Sequence, residues 1–425
     1  MTTDLHVLDE LEWRGLIAHS TDLDALRAEL SEGMVKVYCG FDPTAPSLHM
    51  GNLLQILTLK RFQDAGHKPY GLVGGATGMI GDPKETGERQ MNSLDTVKLW
   101  SANVRGQLER FLSFEGSNAA FVVNNYDWTA GLSTIEFLRD IGKHFPVNKM
   151  LAREVVKSRL EIGISYTEFS YVLLQSMDYL NLHRDFGVTL QTGGSDQWGN
   201  ITAGVDLIRR VEGARVNALA TPLVTKADGT KFGKTESGTV WLDASMTSPY
   251  AFYQFWLNTD DRDVVDLLKY YTFRTREEIE DLEAQTKEKP FLRAAQRALA
   301  DDVTNLVHGP EETQRIKDAS AALFGTGELT ELSVETLGAA LREAGAVQVK
   351  RGEGMPGIVD LFVETGLVAS KGAARRTIAE GGAYLNNRRV EDPDLVPGAE
   401  DLVGGTWLVL RRGKKHLAGV EVVEG

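Results

Sequence analysis

Short β-branched and aromatic runs alternate with longer stretches of helical spacing through the first two hundred residues. The strand-like runs are Val35 to Phe41, Tyr70 to Gly74, Ala119 to Asn124 and Val188 to Thr192; the helical ones are Met50 to Asp64, Thr96 to Phe114 and Tyr166 to Leu182. Strands separated by helices of this length pair in parallel through crossover connections, so the pattern predicts an α/β layer over residues 1–247. From about Ser248 to Ala344 strand-like runs vanish. Segments such as TREEIEDLEAQT and FLRAAQRALADDVTNLVHG show helical spacing with acidic starts, which predicts a helical domain over 248–348. Glycine, proline and charge then gather in VKRGEGMPG, which reads as a linker over 349–356, with a small α+β domain over 357–425.

At 425 residues the chain is long enough for two or three such cores. Its hydrophobic content of 42 % and charged content of 25 % are those of a globular protein, and no apolar run is long enough to span a bilayer. The opening MTTDLHVLDELEWRG has early acidic residues and no basic start before an apolar stretch, so a cytoplasmic protein without a signal peptide is expected. Cys39 is the sole cysteine, which excludes an internal disulfide and any multi-cysteine zinc site. A formal net charge of -14 argues against generic nucleic-acid binding, because phosphate backbones are held mainly by lysine and arginine. Any RNA contact needs a local patch, and one candidate lies between Lys350 and Lys415, with 11 Lys/Arg against 9 Asp/Glu.

Each predicted strand ends in glycine or polar residues, and open parallel sheets bind ligands beyond the carboxyl ends of their strands. The sheet is therefore read as Rossmann-like, with chemistry sought there. In YCGFDPTAPSLHMGNLLQI (38–56) a strand breaks at Gly40 and a helix begins at His49 to Asn52. Gly40 and Gly51 let a flat purine approach the backbone, and the new helix aims N–H groups at phosphate. A turn glycine and a surface histidine account for that segment alone equally well. The loop TKADGTKFGKTESGT (225–239) holds Lys226, Lys231 and Lys234, suited to charge that develops as pyrophosphate leaves, although lysine-rich turns are ordinary on surfaces. In LQTGGSDQWGNI (190–201) a strand passes two glycines into a helix that Ser195 or Asp196 is expected to cap. Asp196 and Gln197 would face the crevice there. Two further segments are GGATGMIGDP, carrying Asp82, and the helix of EFSYVLLQSMDYL, on which Tyr171, Gln175 and Asp178 form one polar stripe at i, i+4 and i+7.

Together these segments resemble the class I aminoacyl-tRNA synthetases: His49-Met50-Gly51-Asn52 matches their HIGH signature and Lys231-Phe232-Gly233-Lys234-Thr235 their KMSKS signature. YCGFDPTAPSLHMGN, GGATGMIGDP, NNYDW (124–128), the Tyr171/Gln175/Asp178 helix and GGSDQWGNI are similar to the bacterial tyrosine-specific branch, nearly throughout the chain. The resemblance implies an enzyme that activates L-tyrosine with ATP, giving tyrosyl-adenylate and pyrophosphate, and then loads the 3' end of the matching tRNA. It implies Mg²⁺ accompanying ATP, no metal site of the protein's own, and a homodimer. Tyr38 and Asp178 would hold the phenol, Asp82, Tyr171 and Gln175 the ammonium group, and Gln197 would lie near the carboxylate. Gly40 and Gly51 would pack on the nucleotide beside Asn52, with Cys39, Gly194 and Asp196 facing the ribose. Thr44 and His49 would meet the phosphates, with Lys231 and Lys234 acting chiefly in the transition state. Two departures stand out: Asn52 replaces the second histidine of HIGH, and KFGKT keeps both lysines of KMSKS but not its methionine and serine.

The segment GIVDLFVETGLVASKGAARRTIAEGGAYLNNRRV resembles a small RNA-binding domain also found in a ribosomal small-subunit protein. On a helix expected to begin at Ser370, Lys371, Arg375 and Arg376 are neighbours positioned to meet phosphate oxygens; Arg388 and Arg389 follow a GG turn. Arg411, Arg412, Lys414 and Lys415 cluster near the end. The rival readings are tryptophan activation, against which Tyr38 and Asp178 argue, and an RNA-binding protein that has lost catalysis, against which His49, Asp82, Lys231 and Lys234 argue. A dehydrogenase is weaker, since no GxGxxG follows the first strand.

Overall fold

Two sheets organise the chain in a computed structural model that describes residues 6–84, 87, 91–235, 238–323, 329–350, 354–413 and 416–423, with side chains omitted at Lys234, Thr235 and Glu331. The larger sheet contains β1 (His19–Ser20), β2 (Lys36–Phe41), β3 (Lys68–Val73), β4 (Phe121–Asn124), β5 (Leu190–Gly194) and β6 (Asn217–Thr221). Its order is β1-β6-β5-β2-β3-β4. All neighbours pair in parallel except β1, which lies antiparallel on β6. The chain winds outward from β2 through β3 to β4, then returns across β2 to place β5 and β6 on its other side. The direction of winding therefore reverses between β2 and β5. These two strands pair only at Val37 with Leu190 and Tyr38 with Gln191, and beyond Tyr38 they part, opening the crevice where such sheets take their ligands.

The crossover helices form where apolar spacing and caps coincide. The helix Met50–Asp64 follows His49 as N-cap and buries Leu53, Leu54, Ile56, Leu57, Leu59 and Phe62, together with the polar Thr58, Arg61 and Gln63, because it is covered on most sides. Leu94–Phe111 starts two residues before the expected Thr96 because Ser93 caps it, accepting from the Thr96 amide. Tyr166–Phe186 outlasts the expected Leu182 by one turn and stops at Gly187, whose φ of 68° closes the helix in the left-handed region. Trp198–Glu212 packs on it at Gly204, where a Cβ would come 3.2 Å from the Tyr179 ring.

Two compact units emerge: Met1–Asp243 with Asp260–Pro290, and Ala244–Thr259 with Phe291–Gly425. The division differs from the expected boundaries. Helices Val264–Tyr271 and Arg276–Glu288 belong with the parallel sheet, although their spacing alone placed them in a helical domain. The tie is electrostatic: Arg14 donates to the carbonyls of Lys269 (2.8 Å), Thr272 and Arg274 (2.6 Å), and Arg61 donates to those of Tyr270 (3.1 Å) and Thr272 (2.9 Å).

In the second unit, β9 (Ala346–Lys350), β10 (Ala383–Leu385), β11 (Arg388–Arg389), β12 (Trp407–Arg412) and β13 (His416–Val423) form a sheet in the order β11-β10-β12-β13-β9; the strands β7 (Lys234–Thr235) and β8 (Gly238–Thr239) of the first unit pair separately. The expected linker thus begins inside a strand, since Val349 and Lys350 pair in parallel with Val422 and Val423; Arg351 to Glu353 lie outside the described residues. Helix Val334–Glu343 lies against β13, with Gly419 leaving room for Leu341 and Gly338 for Trp407. The helix Lys371–Ala379 is capped by Ser370, whose hydroxyl accepts from the Ala373 amide.

Candidate active site

At the mouth of the crevice lies a cleft of about 580 Å³. It is lined by Tyr38, Cys39, Gly40, Thr44, His49, Gly51, Asn52, Asp82, Tyr171, Gln175, Asp178, Gly194, Asp196, Gln197 and Lys231, from segments up to 193 positions apart in the chain. Lys234 lies in β7, and its side chain is outside the described residues.

The deep end is acidic. Asp178, on the helix Tyr166–Phe186, is buried; its Oδ2 accepts from Asn125 Nδ2 and its Oδ1 from Trp128 Nε1, both at 2.9 Å. Burial pushes its carboxyl up to about 7 even against those two donors. Tyr38 is 1 % exposed, and its hydroxyl oxygen has no hydrogen-bond partner. Gln175 Oε1, Gln191 Oε1 and Thr192 Oγ1 are likewise buried and unpartnered along the same cleft. Four such atoms in one place are costly to leave unpaired, which marks the wall as built for a polar guest.

A second carboxylate cluster sits above them. Tyr171 donates its hydroxyl to Asp42 Oδ2 (2.7 Å), and Thr77 donates to Asp42 Oδ1 (2.6 Å). Gly74 makes this possible, since a Cβ there would collide with Asp42 Oδ1 and Thr77 Oγ1. Asp82 accepts from Gln197 Nε2 (2.8 Å) and Asn200 Nδ2 (3.2 Å), and burial raises its carboxyl from the usual range. Asp42, Asp82 and Asp178 together give a negative floor suited to an ammonium group.

The outer end is built by the two signature segments. His49 caps its helix: its Nδ1 accepts from the Gly51 amide (3.1 Å), while Asn52 Oδ1 accepts from the His49 amide (3.1 Å). The expected supply of free helix N–H groups is therefore smaller by the Gly51 amide. Asn52 replaces a histidine at the third helical position and serves there as a capping acceptor. The lysine loop is seated beside this helix, with Gly233 at φ 84°, a conformation glycine adopts without strain, and close to Met50. Phe232 lies 5.9 Å from the ring of Tyr271, whose hydroxyl donates to the Met50 carbonyl (3.1 Å). KFG thus replaces methionine and serine with an aromatic anchor and a left-handed turn. Further along, His49 and Trp241 form a backbone bridge. The expected side-chain cap at Ser195 or Asp196 does not form: these residues make a 3-10 turn, and Trp198–Glu212 starts from Gln197 without one.

Sequence reasoning passed over Asp42, Thr77, Asn125, Trp128, Gln191, Asn200 and Arg153. Asn125 and Trp128 stand inside the NNYDW segment, so that motif carried the signal without saying which side chains mattered. In the second unit Lys371, Arg375, Arg376, Arg388 and Arg389 are exposed, and Lys371 pairs with Asp360 at 2.5 Å. Arg411 is buried instead, stacked 4.1 Å from the Tyr384 ring centre, while Lys414 and Lys415 lie outside the described residues.

A parallel sheet that takes its ligand at the switch point, a histidine-capped helix after the first parallel strand, and a lysine loop seated on that helix define a class I aminoacyl-tRNA synthetase. Residues 30–325 match the family model described as tRNA synthetases class I (W and Y), and residues 340–419 match that of the tyrosine--tRNA ligase SYY-like C-terminal domain. The chain is 64 % identical over 422 residues to a tyrosine--tRNA ligase of Streptomyces avermitilis, covering 99 % of each. A C-terminally truncated mitochondrial tyrosyl-tRNA synthetase of Aspergillus nidulans is similar in structure, with 31 % identity, a TM-score of 0.67, and coverage of 73 % of this chain and 92 % of that one. A tryptophanyl-tRNA synthetase of Encephalitozoon cuniculi shares the fold alone (13 % identity, TM-score 0.54, 73 % and 88 % covered). The chain belongs to the tyrosine--tRNA ligase family of class I synthetases.

Proposed function

We propose that this enzyme activates L-tyrosine with ATP and transfers it to the 3' end of its tRNA, and that the cleft of the first unit is where activation occurs. The observation that carries the reading is the unpartnered Tyr38 hydroxyl beside the buried Asp178 carboxylate. A phenol placed between them donates to Asp178 and accepts from Tyr38, and phenylalanine leaves the buried Tyr38 hydroxyl unpaired at about 1–3 kcal/mol while giving Asp178 no donor beyond Asn125 and Trp128. Asp82, Tyr171 and Gln175 then take the ammonium group, and Gln197 lies near the carboxylate. That carboxylate attacks the α-phosphate of ATP, forming the acyl–phosphate bond as the bond to pyrophosphate breaks; no side-chain nucleophile takes part. Gly40, Gly51 and Asn52 pack on the nucleotide, and Cys39, Gly194 and Asp196 face the ribose. Thr44, His49, Lys231 and Lys234 stabilise the charge on the phosphates. Mg²⁺ enters with the ATP polyphosphate and shares in neutralising its charge.

RNA contact falls to the exposed Lys371, Arg375, Arg376, Arg388 and Arg389 of the second unit. A second copy of the chain is the partner for the first unit, where Ile135, Leu138, Val147, Leu151, Leu160 and Ile162 are all exposed within one short segment. The protein works in the cytoplasm, where tRNA is charged; among the described residues no helix is long and apolar enough to cross a membrane. The test of the activity is exchange of labelled pyrophosphate into ATP with tyrosine, phenylalanine or tryptophan. Exchange with tyrosine alone is expected; a preference for tryptophan, or no exchange from folded protein, overturns the reading.

A further inference from the structure

Arg153 is a cation that the activation chemistry above does not use, yet it reaches the amino-acid site through one intermediary. Its guanidinium hydrogen-bonds Asn200 Oδ1. Asn200 is 2 % exposed and has its remaining hydrogens committed, with Nδ2 donating to Gln197 Oε1 (2.9 Å) and Asp82 Oδ1 (3.2 Å). Gln197 closes the ring by donating to Asp82 Oδ2 (2.8 Å). The neighbour Gly199 lies against the Arg153 guanidinium. It sits in the first turn of a helix, where glycine is less stable than alanine, and a Cβ on it would stand 3.4 Å from Arg153 Nη2.

We propose that Arg153 and Asn200 are positioning residues that orient Gln197 and hold Asp82 ready, as a carboxylate, to receive the ammonium group of tyrosine. The inference rests on the assignment of Asp82 to that ammonium group. A carboxyl amide can turn either end toward a neighbour. Arg153 donates only, so it fixes Asn200 with oxygen outward and nitrogen inward. Asn200 then offers a donor to Gln197 Oε1, which in turn leaves Gln197 Nε2 to face Asp82. The charged neighbours of Asp82 are Arg153 and Asp196. Tyr171, bonded to Asp42, faces the Asp82 charge as well, and Lys84 follows two residues along the chain. Arg153 opposes the upward push of burial and of Asp196 on the Asp82 carboxyl. Without it Asp82 stays protonated to higher pH and grips an ammonium group less well.

The test compares tyrosine with its desamino analogue, 3-(4-hydroxyphenyl)propanoate, on the full-length enzyme carrying Arg153→Met, Arg153→Lys or Asn200→Ala. For Arg153→Met the KM for tyrosine is expected to rise roughly tenfold, with far smaller changes in kcat and in the KM for ATP. The rise should be steeper at low pH, Arg153→Lys should recover much of it, and inhibition by the desamino analogue should be unchanged. Equal weakening of tyrosine and analogue, or an unaltered tyrosine KM and pH profile in both Arg153→Met and Asn200→Ala, overturns the proposal. If the unaltered enzyme fails to prefer tyrosine over the analogue, the assignment of Asp82 itself falls.

Discussion

At the phenol end of the cleft a single proton decides what each group offers. The Asp178 carboxyl, raised by burial to about 7, accepts from the substrate hydroxyl far more strongly when ionised. The KM for tyrosine in pyrophosphate exchange is therefore expected to rise as pH falls below about 7, and Asp178→Asn to abolish that dependence along with most of the affinity. The same shift has an opposite sign for the free protein. A carboxyl whose folded value lies above its unfolded value of about 4 costs stability as pH climbs from there to about 7, so unliganded protein should melt lower at pH 7 than at pH 5 from this group alone. Tyr38→Phe removes a hydroxyl that has no partner until substrate arrives. It should leave unfolding nearly unchanged while weakening tyrosine by about 0.5–1.5 kcal/mol in equilibrium dialysis. Tyr38 and Asp178 were legible because they stand in recognisable segments. Asp42 stands in one too, but an acidic residue before proline reads as a turn. Its partners Thr77 and Tyr171 are 35 and 129 positions away, a proximity that only the folded sheet creates.

Elements carry their own tests. Arg159 and Glu168 form a buried ion pair at 3.0 Å, and Arg159 also donates to the carbonyls of Gly163 and Lys84, so it ties the start of the helix Tyr166–Phe186 to the wall that bears Asp82. Removing only the carboxylate strands the guanidinium away from water. Glu168→Ala should lower stability by about 3–5 kcal/mol in urea unfolding, with Glu168→Gln intermediate. Gly74→Ala should hurt by a different route: its methyl would force Asp42 and Thr77 apart and raise the KM for tyrosine before it affects ATP. The helix Met50–Asp64 was legible to the residue because its apolar run and its cap agree. Strand β6 was not, since NALAT offers asparagine and alanine where a β-branched run was sought. Its fit comes from burial of all five residues between parallel β5 and antiparallel β1. The lesson is that periodicity locates elements whose own side chains dominate their burial, and misses those whose surroundings do.

For the molecule as a whole, cutting the chain at the linker expected over 349–356 would strip β13 from both β9 and the helix Val334–Glu343. A chain ending at Leu323 avoids that damage, and it should retain tyrosine-dependent pyrophosphate exchange while losing tRNA charging. A chain ending at Asp243 has every strand of the larger sheet but neither the carbonyls of Lys269 to Arg274 nor their helices. It should fail to give a cooperative melt. The reason lies in Arg14 and Arg61, 3 % and 5 % exposed, whose guanidiniums find acceptors on that returning segment; burial, together with the neighbouring charge of Arg14, presses Arg61 down to about 9. Read along the time axis of translation, those two arginines act as a latch. The sheet's last strand emerges from the ribosome some fifty residues before the carbonyls that neutralise the cost of burying them, so the nascent catalytic half must wait, loosely formed, until residue 274 is out.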